Sequence, residues 1–305
     1  MLARNFRIGT RGSPLALVQA NMVRSALIAA HGWADETVEI VPIKTTGDRV
    51  QDRALAEIGG KALWTKELDR ALLAGDIDCA VHSMKDVETI RPTSLRIAAM
   101  LPRADVRDKL IGAGSISALA QGARVGTSSP RRAAQLLHLR PDLDILLFRG
   151  NVATRLAKLE AGEADATLLA AAGLDRLGQS DIGHAIDDLL PAPAQGAVGI
   201  EVRAEDKAAC RIVDAIDHKA TWRCVMAERA LLASLGADCH SPVAALATIE
   251  DDRLTLRAEL LAMDGSDHVT GDIASDGDDD AAAEALARDL LKRAPTVVAK
   301  LFAGP

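Results

Sequence analysis

The sequence contains no tyrosine, and aromatic residues make up only 2% of its 305 residues. Surfaces that bind nucleic acid by stacking bases need aromatic side chains, and surfaces that follow phosphates are usually basic. This chain instead carries a net charge of -7. The composition therefore argues against a nucleic-acid partner, and the hydrophobic cores must be built from Ala, Leu, Ile and Val.

Cysteine is also scarce, and the positions Cys79, Cys210, Cys224 and Cys239 form no C-x-x-C pair. Neither a zinc site nor a disulfide framework is predicted, so we expect no metal. No apolar run is long enough to span a bilayer, and the N-terminus lacks the pattern of a signal peptide. We therefore expect a cytoplasmic protein without a membrane partner.

The chain is long for one domain, and it contains an internal repeat. The motif RIGTRGSP near the N-terminus returns as RVGTSSP in the middle of the chain. Five residues after the proline, each copy has a glutamine, Gln19 in the first and Gln135 in the second. Both copies predict a strand followed by a helix, with Ser13 or Ser129 at the N-cap and proline at the first helical position.

Apolar strand patterns alternate with amphipathic helix patterns over the first two thirds of the chain. This alternation predicts an α/β fold with mainly parallel sheets, and the repeat predicts two similar lobes. Beyond roughly Asp217 a long helical pattern precedes alternating strand patterns and a final helix, which predicts a third, smaller α/β domain.

Arginines gather at the predicted strand-to-helix turns. Arg11 follows the first strand, Arg131 and Arg132 open the second repeat's helix, and Arg149 and Arg155 flank a glycine turn. Helix N-termini at the carboxyl ends of parallel strands suit anions, and a guanidinium binds a carboxylate through two hydrogen bonds. A pair with a surface acid explains any single arginine more simply, whereas the whole set favours a ligand with several carboxylates.

Lys85 and Asp86 follow an apolar strand, at the end where open α/β sheets carry their functional residues. A carboxylate there could stabilise a cation or move a proton, although an adjacent Lys-Asp is usually a solvated pair. His82, within the strand, is expected to be a core residue with a satisfied hydrogen bond.

Cys239 follows a helix-stopping glycine and is predicted on a loop, where a thiolate could act as a nucleophile or carry a covalent group. The neighbouring Asp238 works against a thiolate. The other cysteines are expected to be small buried hydrophobes.

Residues 44–63 are polar and glycine-rich, and they predict either a mobile lid or a plain surface loop.

Together, the motifs resemble the porphobilinogen deaminase (hydroxymethylbilane synthase) family over nearly the whole chain. They are, in order, IGTRGSPLAL, GGKALWTKEL, AVHSMKDV, VGTSSPRR, RGNVATRL, AAAGLDRLG, QGAVGIE and ADCHSPVA. The resemblance implies three α/β domains, the first two similar to periplasmic binding protein lobes: residues 1–102 with 195–217, residues 103–194, and residues 218–305. It implies a transferase of tetrapyrrole (haem) biosynthesis that condenses four porphobilinogen molecules head to tail, with loss of ammonia, into hydroxymethylbilane.

The resemblance also implies residue roles. Cys239 would hold a dipyrromethane cofactor through a thioether as a primer, and Asp86 would contact pyrrole N–H groups and stabilise an azafulvene cation. The implied cofactor-binding residues are Cys239, Ser13, Lys85, Asp86, Ser129, Arg131, Arg132, Asn151 and Arg155, and the implied substrate-binding residues are Arg11, Gln19, Arg149, Arg155 and Arg176. The acetate and propionate arms of the pyrroles would account for the arginines. We also expect a monomer that passes its product to uroporphyrinogen-III synthase.

The sequence departs from the family pattern at a few positions. Ala194 stands before Gln195 where glycine is common, and Trp64 stands where phenylalanine is usual. The residues alone leave one alternative, a cytosolic two-lobed protein that binds a small dicarboxylate. Such a carrier would use the same arginines but would need neither Asp86 nor Cys239.

Overall fold

The computed structural model describes residues 4–44, 65–238, 240–275 and 277–302. The chain divides into two compact units, Met1–Ala104 with Ala197–Trp222 and Asp105–Gly196 with Arg223–Pro305. Residues 103–194 and 218–305, expected as separate domains, thus fall almost wholly within the second unit, and their separation stays a prediction.

The helices and strands follow in chain order. They are β1 (Phe6–Arg11), α1 (Pro14–His31), β2 (Val38–Ile43), α2 (Lys66–Ala74), β3 (Cys79–Ser83), β4 (Leu95–Met100), β5 (Asp108–Ile111), β6 (Arg124–Thr127), α3 (Pro130–Leu139), β7 (Asp144–Leu147), α4 (Val152–Glu160), β8 (Ala166–Ala170), α5 (Ala171–Arg176), β9 (His184–Ile186), β10 (Val198–Arg203), α6 (Lys207–Asp214), α7 (Lys219–Leu235), β11 (Val243–Glu250), β12 (Arg253–Leu261), β13 (His268–Ser275), α8 (Asp279–Arg293) and α9 (Thr296–Ala299).

The first unit is built on a five-stranded sheet in the order β2-β1-β3-β10-β4. Only β10 runs against its neighbours, so the other strands share one direction. Its core is aliphatic, as the composition requires: Ile8, Val81 and Ile200 from the sheet are buried together with Val23 and Leu27 from α1.

The second unit contains a five-stranded sheet in the order β7-β6-β8-β5-β9, in which only β5 runs against its neighbours. This unit also contains the antiparallel sheet β11-β12-β13. Leu231 from α7 and Leu286 from α8 pack with Leu256 of that sheet in one core. The predicted α/β class with mainly parallel sheets and a small third sheet is confirmed.

The internal repeat corresponds to equivalent places in the two five-stranded sheets. In each copy the serine caps the helix: Ser13 accepts a hydrogen bond from Ala16 N, and Ser129 accepts one from Arg132 N. The strand glycines have a steric reason, because a Cβ atom at Gly126 would collide with the Phe148 ring. The predicted strand, serine cap and proline are confirmed in both copies.

The remaining cysteines only partly match their prediction. Cys79 and Cys224 are buried as predicted, whereas Cys210 is only half-buried. It lies in α6 between the buried Ala209 and Val213, and it packs against the edge of the first unit's core. Among the described residues, no helix combines the length and the apolar character needed to cross a membrane.

Candidate functional site

A pocket opens in the first unit where β1 and β3 end. β1 ends at Arg11 and α1 begins immediately after Ser13, while β3 is followed by a helical turn, Met84–Asp86. The pocket is lined by Arg11, Ser13, Leu15, Ala16, Gln19, Thr65, Val81, His82, Ser83, Asp86 and Val87. The structure thus brings four predicted site residues together, Arg11, Ser13, Gln19 and Asp86. Lys85 is half-buried in the same helical turn.

Gln19 and Ser83 join α1 to the end of β3 at the wall of this pocket. Gln19 Nε2 donates to Ser83 Oγ at 2.8 Å, and Ser83 Oγ lies 3.0 Å from Gln19 Oε1. Gln19 is 2% exposed, so its amide is held by this contact and not by solvent. The pair fixes the strand end from which the turn to Asp86 starts.

A buried charge network lies on the His82 side of the pocket, and the sequence patterns did not reveal it. His82 Nε2 lies 3.1 Å from Glu201 Oε2, and Arg91 Nε donates to Glu201 Oε1 at 2.9 Å. Arg91 also pairs with Asp69 and Glu88. Burial by itself would raise the pKa of Glu201, but the hydrogen bonds from His82 and Arg91 lower it to about 2. His82 is therefore a satisfied buried residue, as expected.

In the second unit, Arg131 and Arg132 share one carboxylate, that of Asp108. Arg131 Nη1 lies 2.8 Å from Asp108 Oδ2, and Arg132 Nη2 lies 2.7 Å from Asp108 Oδ1. All three side chains are buried. Burial would raise the pKa of Asp108, but the two guanidinium charges outweigh it and hold the pKa well below its usual range.

Gln195 completes this cluster, since its Nε2 donates to Asp108 Oδ1 at 2.8 Å. Sequence reasoning named both arginines but missed Asp108, which opens the short strand β5. No periodicity or motif marks an acid that is 23 positions from its partner.

The other predicted residues of the second unit lie on its helix starts and turns. Asn151 is the N-cap of α4 and accepts a hydrogen bond from Thr154 N at 2.9 Å. Arg155 donates from Nε to Gly150 O and from Nη2 to Ser128 Oγ. Arg176 Nη2 donates to Gly196 O at 2.7 Å. Asn151 and Ser129 thus have clear structural roles as caps.

Three of these arginines retain buried donors that fit an anionic ligand. Arg131 Nε, Arg149 Nη1 and Arg176 Nε are buried and have no hydrogen-bond partner within the part of the chain that the structure describes. A buried donor without a partner is costly, and carboxylate oxygens would satisfy it. These donors therefore fit a cofactor or substrate that carries several carboxylates.

Some residues that the sequence singled out lie outside the part of the chain that the structure describes. They are Cys239, the expected cofactor attachment point, Trp64, and all of the expected lid except Lys44.

Two family profiles match the chain. The first, described as the dipyrromethane cofactor binding domain of porphobilinogen deaminase, matches residues 6–211, and the second, the C-terminal domain of that enzyme, matches residues 222–294. The chain belongs to the porphobilinogen deaminase family. A porphobilinogen deaminase of Sphingopyxis alaskensis is 61% identical, over 97% of this chain and 96% of its own length. One of Paracoccus denitrificans is 52% identical, over 95% of this chain and 94% of its own length.

Membership in the porphobilinogen deaminase family confirms the predicted enzyme class, a transferase of tetrapyrrole biosynthesis, and the predicted dipyrromethane cofactor. It also decides against the carrier alternative.

Solved structures show more distant similarity. The VFT2 domain of Bordetella pertussis BvgS has a TM-score of 0.41 at 15% identity, covering 74% of this chain and 90% of that chain. Immunogenic lipoprotein A of Vibrio vulnificus has a TM-score of 0.43 at 13% identity, covering 71% of this chain and 96% of that chain.

Proposed function

We propose that Asp86 is the catalytic carboxylate for the condensation of four porphobilinogen molecules, with loss of ammonia, into hydroxymethylbilane. The observation that carries this role is its place in the pocket of the first unit, beside Arg11 and at the carboxyl end of β3. When ammonia leaves the aminomethyl group, the pyrrole becomes a cation. A fixed carboxylate that accepts a hydrogen bond from the pyrrole N–H stabilises that charge as it develops.

The arginines and their neighbours bind carboxylate arms. Arg11 and Gln19 do so for substrate in the first unit, and Arg149, Arg155 and Arg176 do so in the second. Ser13, Lys85, Ser129, Arg131, Arg132, Asn151 and Arg155 hold the cofactor. The partnerless donors Arg131 Nε, Arg149 Nη1 and Arg176 Nε support these roles, because each added pyrrole brings new carboxylates that need donors.

Cys239 holds the dipyrromethane through a thioether. When bound, that group supplies the pyrrole carbon to which the first substrate unit is joined. Covalent attachment keeps the growing chain at the site between steps, which turns each addition into a reaction of a tethered partner.

The intact mass of the denatured protein tests the primer directly. We expect an excess equal to two linked porphobilinogen units, and we expect Cys239→Ser to lack it. If the mass of the wild-type chain shows no bound cofactor, the protein is incubated with porphobilinogen and its mass is measured again. A chain that stays bare after this incubation, and that converts no porphobilinogen, overturns the proposed function.

The role of Asp86 is tested by Asp86→Asn, measured as kcat per cofactor-loaded chain. We expect a loss of about 100-fold or more, because the neutral amide no longer stabilises a cation. The matched control is Asp76→Asn, an exposed acid of the same unit, which should keep wild-type turnover. Wild-type turnover in Asp86→Asn would rule out this role.

We further propose that the protein works in the cytoplasm as a monomer and passes its product to uroporphyrinogen-III synthase. The family resemblance supports this assignment. Light scattering after gel filtration checks the monomer, with a dimer mass as the contrary result. Addition of the purified synthase to the reaction checks whether the product is consumed.

A further inference from the structure

Gln135, the counterpart of Gln19 in the repeat, is hydrogen-bonded to the third sheet, β11-β12-β13. Its Nε2 donates to Glu259 Oε2 at 2.7 Å and to Leu190 O at 3.1 Å, while its Oε1 accepts from Arg131 Nη1 at 3.2 Å. Gln135 is 3% exposed, so both ends of its amide are committed to these partners. The amide therefore links the carboxylate of Glu259 to the guanidinium of Arg131.

Glu259 lies at a defined end of its sheet. It is in register with Ala244, the second residue of β11, at the opposite end from the turn that joins Glu250 to Arg253. Leu261 N also donates to Pro242 O, just before β11. The described residues Ser241 and Pro242 lead into β11 at this end.

Further contacts tie the same parts of the second unit together. Ala245 N donates to Pro191 O at 3.1 Å, and His138 Nδ1 lies 3.0 Å from Gly265 O. A Cβ atom at Gly265 would collide with the backbone of α3, so the approach of this turn to the helix is close. Among these contacts, the one through Gln135 reaches an arginine of the candidate site.

We propose that Gln135 and Glu259 are positioning residues that orient Arg131 relative to the end of the third sheet at which β11 begins. The inference rests on the proposed function, in which Arg131 binds cofactor carboxylates. Arg131 Nη1 is already committed to Asp108, Gln135 and Leu190 O, which aims the remaining donors of the guanidinium, Nε among them. Loss of the amide link lets the guanidinium shift, and a bidentate contact tolerates little displacement.

An exchange of the two side chains tests this proposal. In Gln135→Glu a second carboxylate, which has no donor, faces both Glu259 and Leu190 O, so both donated hydrogen bonds are lost and replaced by repulsion. In the double variant Gln135→Glu with Glu259→Gln, the total charge equals that of the wild type. The amide of residue 259 then donates to the new carboxylate, which still accepts from Arg131, while Leu190 O keeps its hydrogen bond from Arg131 Nη1.

Two quantities are measured on the whole protein: the fraction of chains that carry the cofactor, from intact mass, and kcat per loaded chain. For Gln135→Glu we expect a lower loaded fraction and a kcat per loaded chain reduced about tenfold, the size of effect of a lost hydrogen bond to a charged group. The double variant should recover to within about threefold of wild type. A purely structural role would lower the melting temperature without changing kcat per loaded chain.

Glu259→Ala provides a second variant if Gln135→Glu does not fold, since Glu259 is only half-buried. It should show the same two losses, whereas its matched control Glu250→Ala, exposed at the other end of the sheet, should show neither.

Two results overturn the inference: unchanged loading and kcat in the single variants, or a double variant no better than Gln135→Glu. Neither affects the proposed function, which fails only if the wild-type chain takes up no cofactor and converts no substrate.

Discussion

Asp108 and Arg132 form a buried ion pair with two contacts, Nη2 to Oδ1 at 2.7 Å and Nε to Oδ2 at 3.2 Å. Arg131 shares the same carboxylate, so the cluster carries two positive charges and one compensating negative charge. The arginines are thus held rigidly before any ligand binds. Preorganised donors lose little freedom on binding, which favours recognition of carboxylates.

Asp108→Asn should destabilise the protein strongly, because two buried guanidinium groups lose their compensating charge. We expect the free energy of unfolding to fall by about 3 kcal/mol or more, measured by denaturant unfolding. The control is Asp105→Asn, whose partner Arg107 is 46% exposed. That change should cost less than about 1 kcal/mol. Equal effects of the two substitutions would show that the buried cluster contributes no special stability.

Ala194→Gly should stabilise the protein. Ala194 has a φ of 61°, in the left-handed region that disfavours a side chain, and its N–H is held by Glu228 Oε2 at 2.5 Å. Removing the Cβ relieves about 1 kcal/mol or more of strain, part of which is offset by the greater freedom of glycine in the unfolded chain. A small rise in melting temperature is expected.

The control for that substitution is Ala197→Gly, since Ala197 is equally buried and is not among the described non-glycine residues with positive φ. It should lower the melting temperature. A decrease of similar size in both variants would contradict the strain at Ala194.

Glu201→Gln should make the free energy of unfolding depend less on pH below about pH 4.5. The pKa of Glu201 is lowered from 4.5 to about 2, so its charge stabilises the folded state above pH 4.5. This contribution, about 3 kcal/mol, is lost as pH falls from about 4.5 to about 2. The variant should be less stable than wild type at pH 7, and its unfolding free energy should fall less on acidification.

Urea unfolding at a series of pH values measures this difference. Glu205→Gln, an exposed acid just after β10, serves as the control and should keep the wild-type profile. A parallel profile for Glu201→Gln would mean that the network around Arg91 does not depend on this charge.

Arg149→Leu should stall elongation at an intermediate length, because later pyrrole units bring carboxylates that this guanidinium would otherwise neutralise. Arg149 is half-buried and its Nη1 has no partner among the described atoms. Mass spectrometry of the enzyme during turnover should show that enzyme-bound pyrrole chains accumulate before they reach the length needed for product release.

Arg124→Leu is the matched control, since Arg124 is a half-buried arginine of the same unit that pairs with Asp165. It should elongate normally. Normal product release by Arg149→Leu would refute the role of the arginine in binding the growing chain.

Sequence patterns were most successful where the interaction spans a few residues. The caps at Ser13 and Ser129 are examples, because a serine hydroxyl and the N–H three positions later meet whenever a helix begins there. The repeat pointed to Gln19 and the strand end to Asp86, and the structure places both at one pocket. Their catalytic and binding roles stay predictions.

By itself, the sequence determined the α/β class, the repeated strand and helix, the aliphatic cores and the family, since these follow from local spacing and motif order. Only the tertiary structure decided which polar and charged side chains meet. Asp108 pairs with Arg131, Glu201 pairs with Arg91, and Gln135 donates to Glu259, 124 positions away. Such contacts depend on strand order and on the packing of helices against sheets, and no periodicity within one segment specifies them.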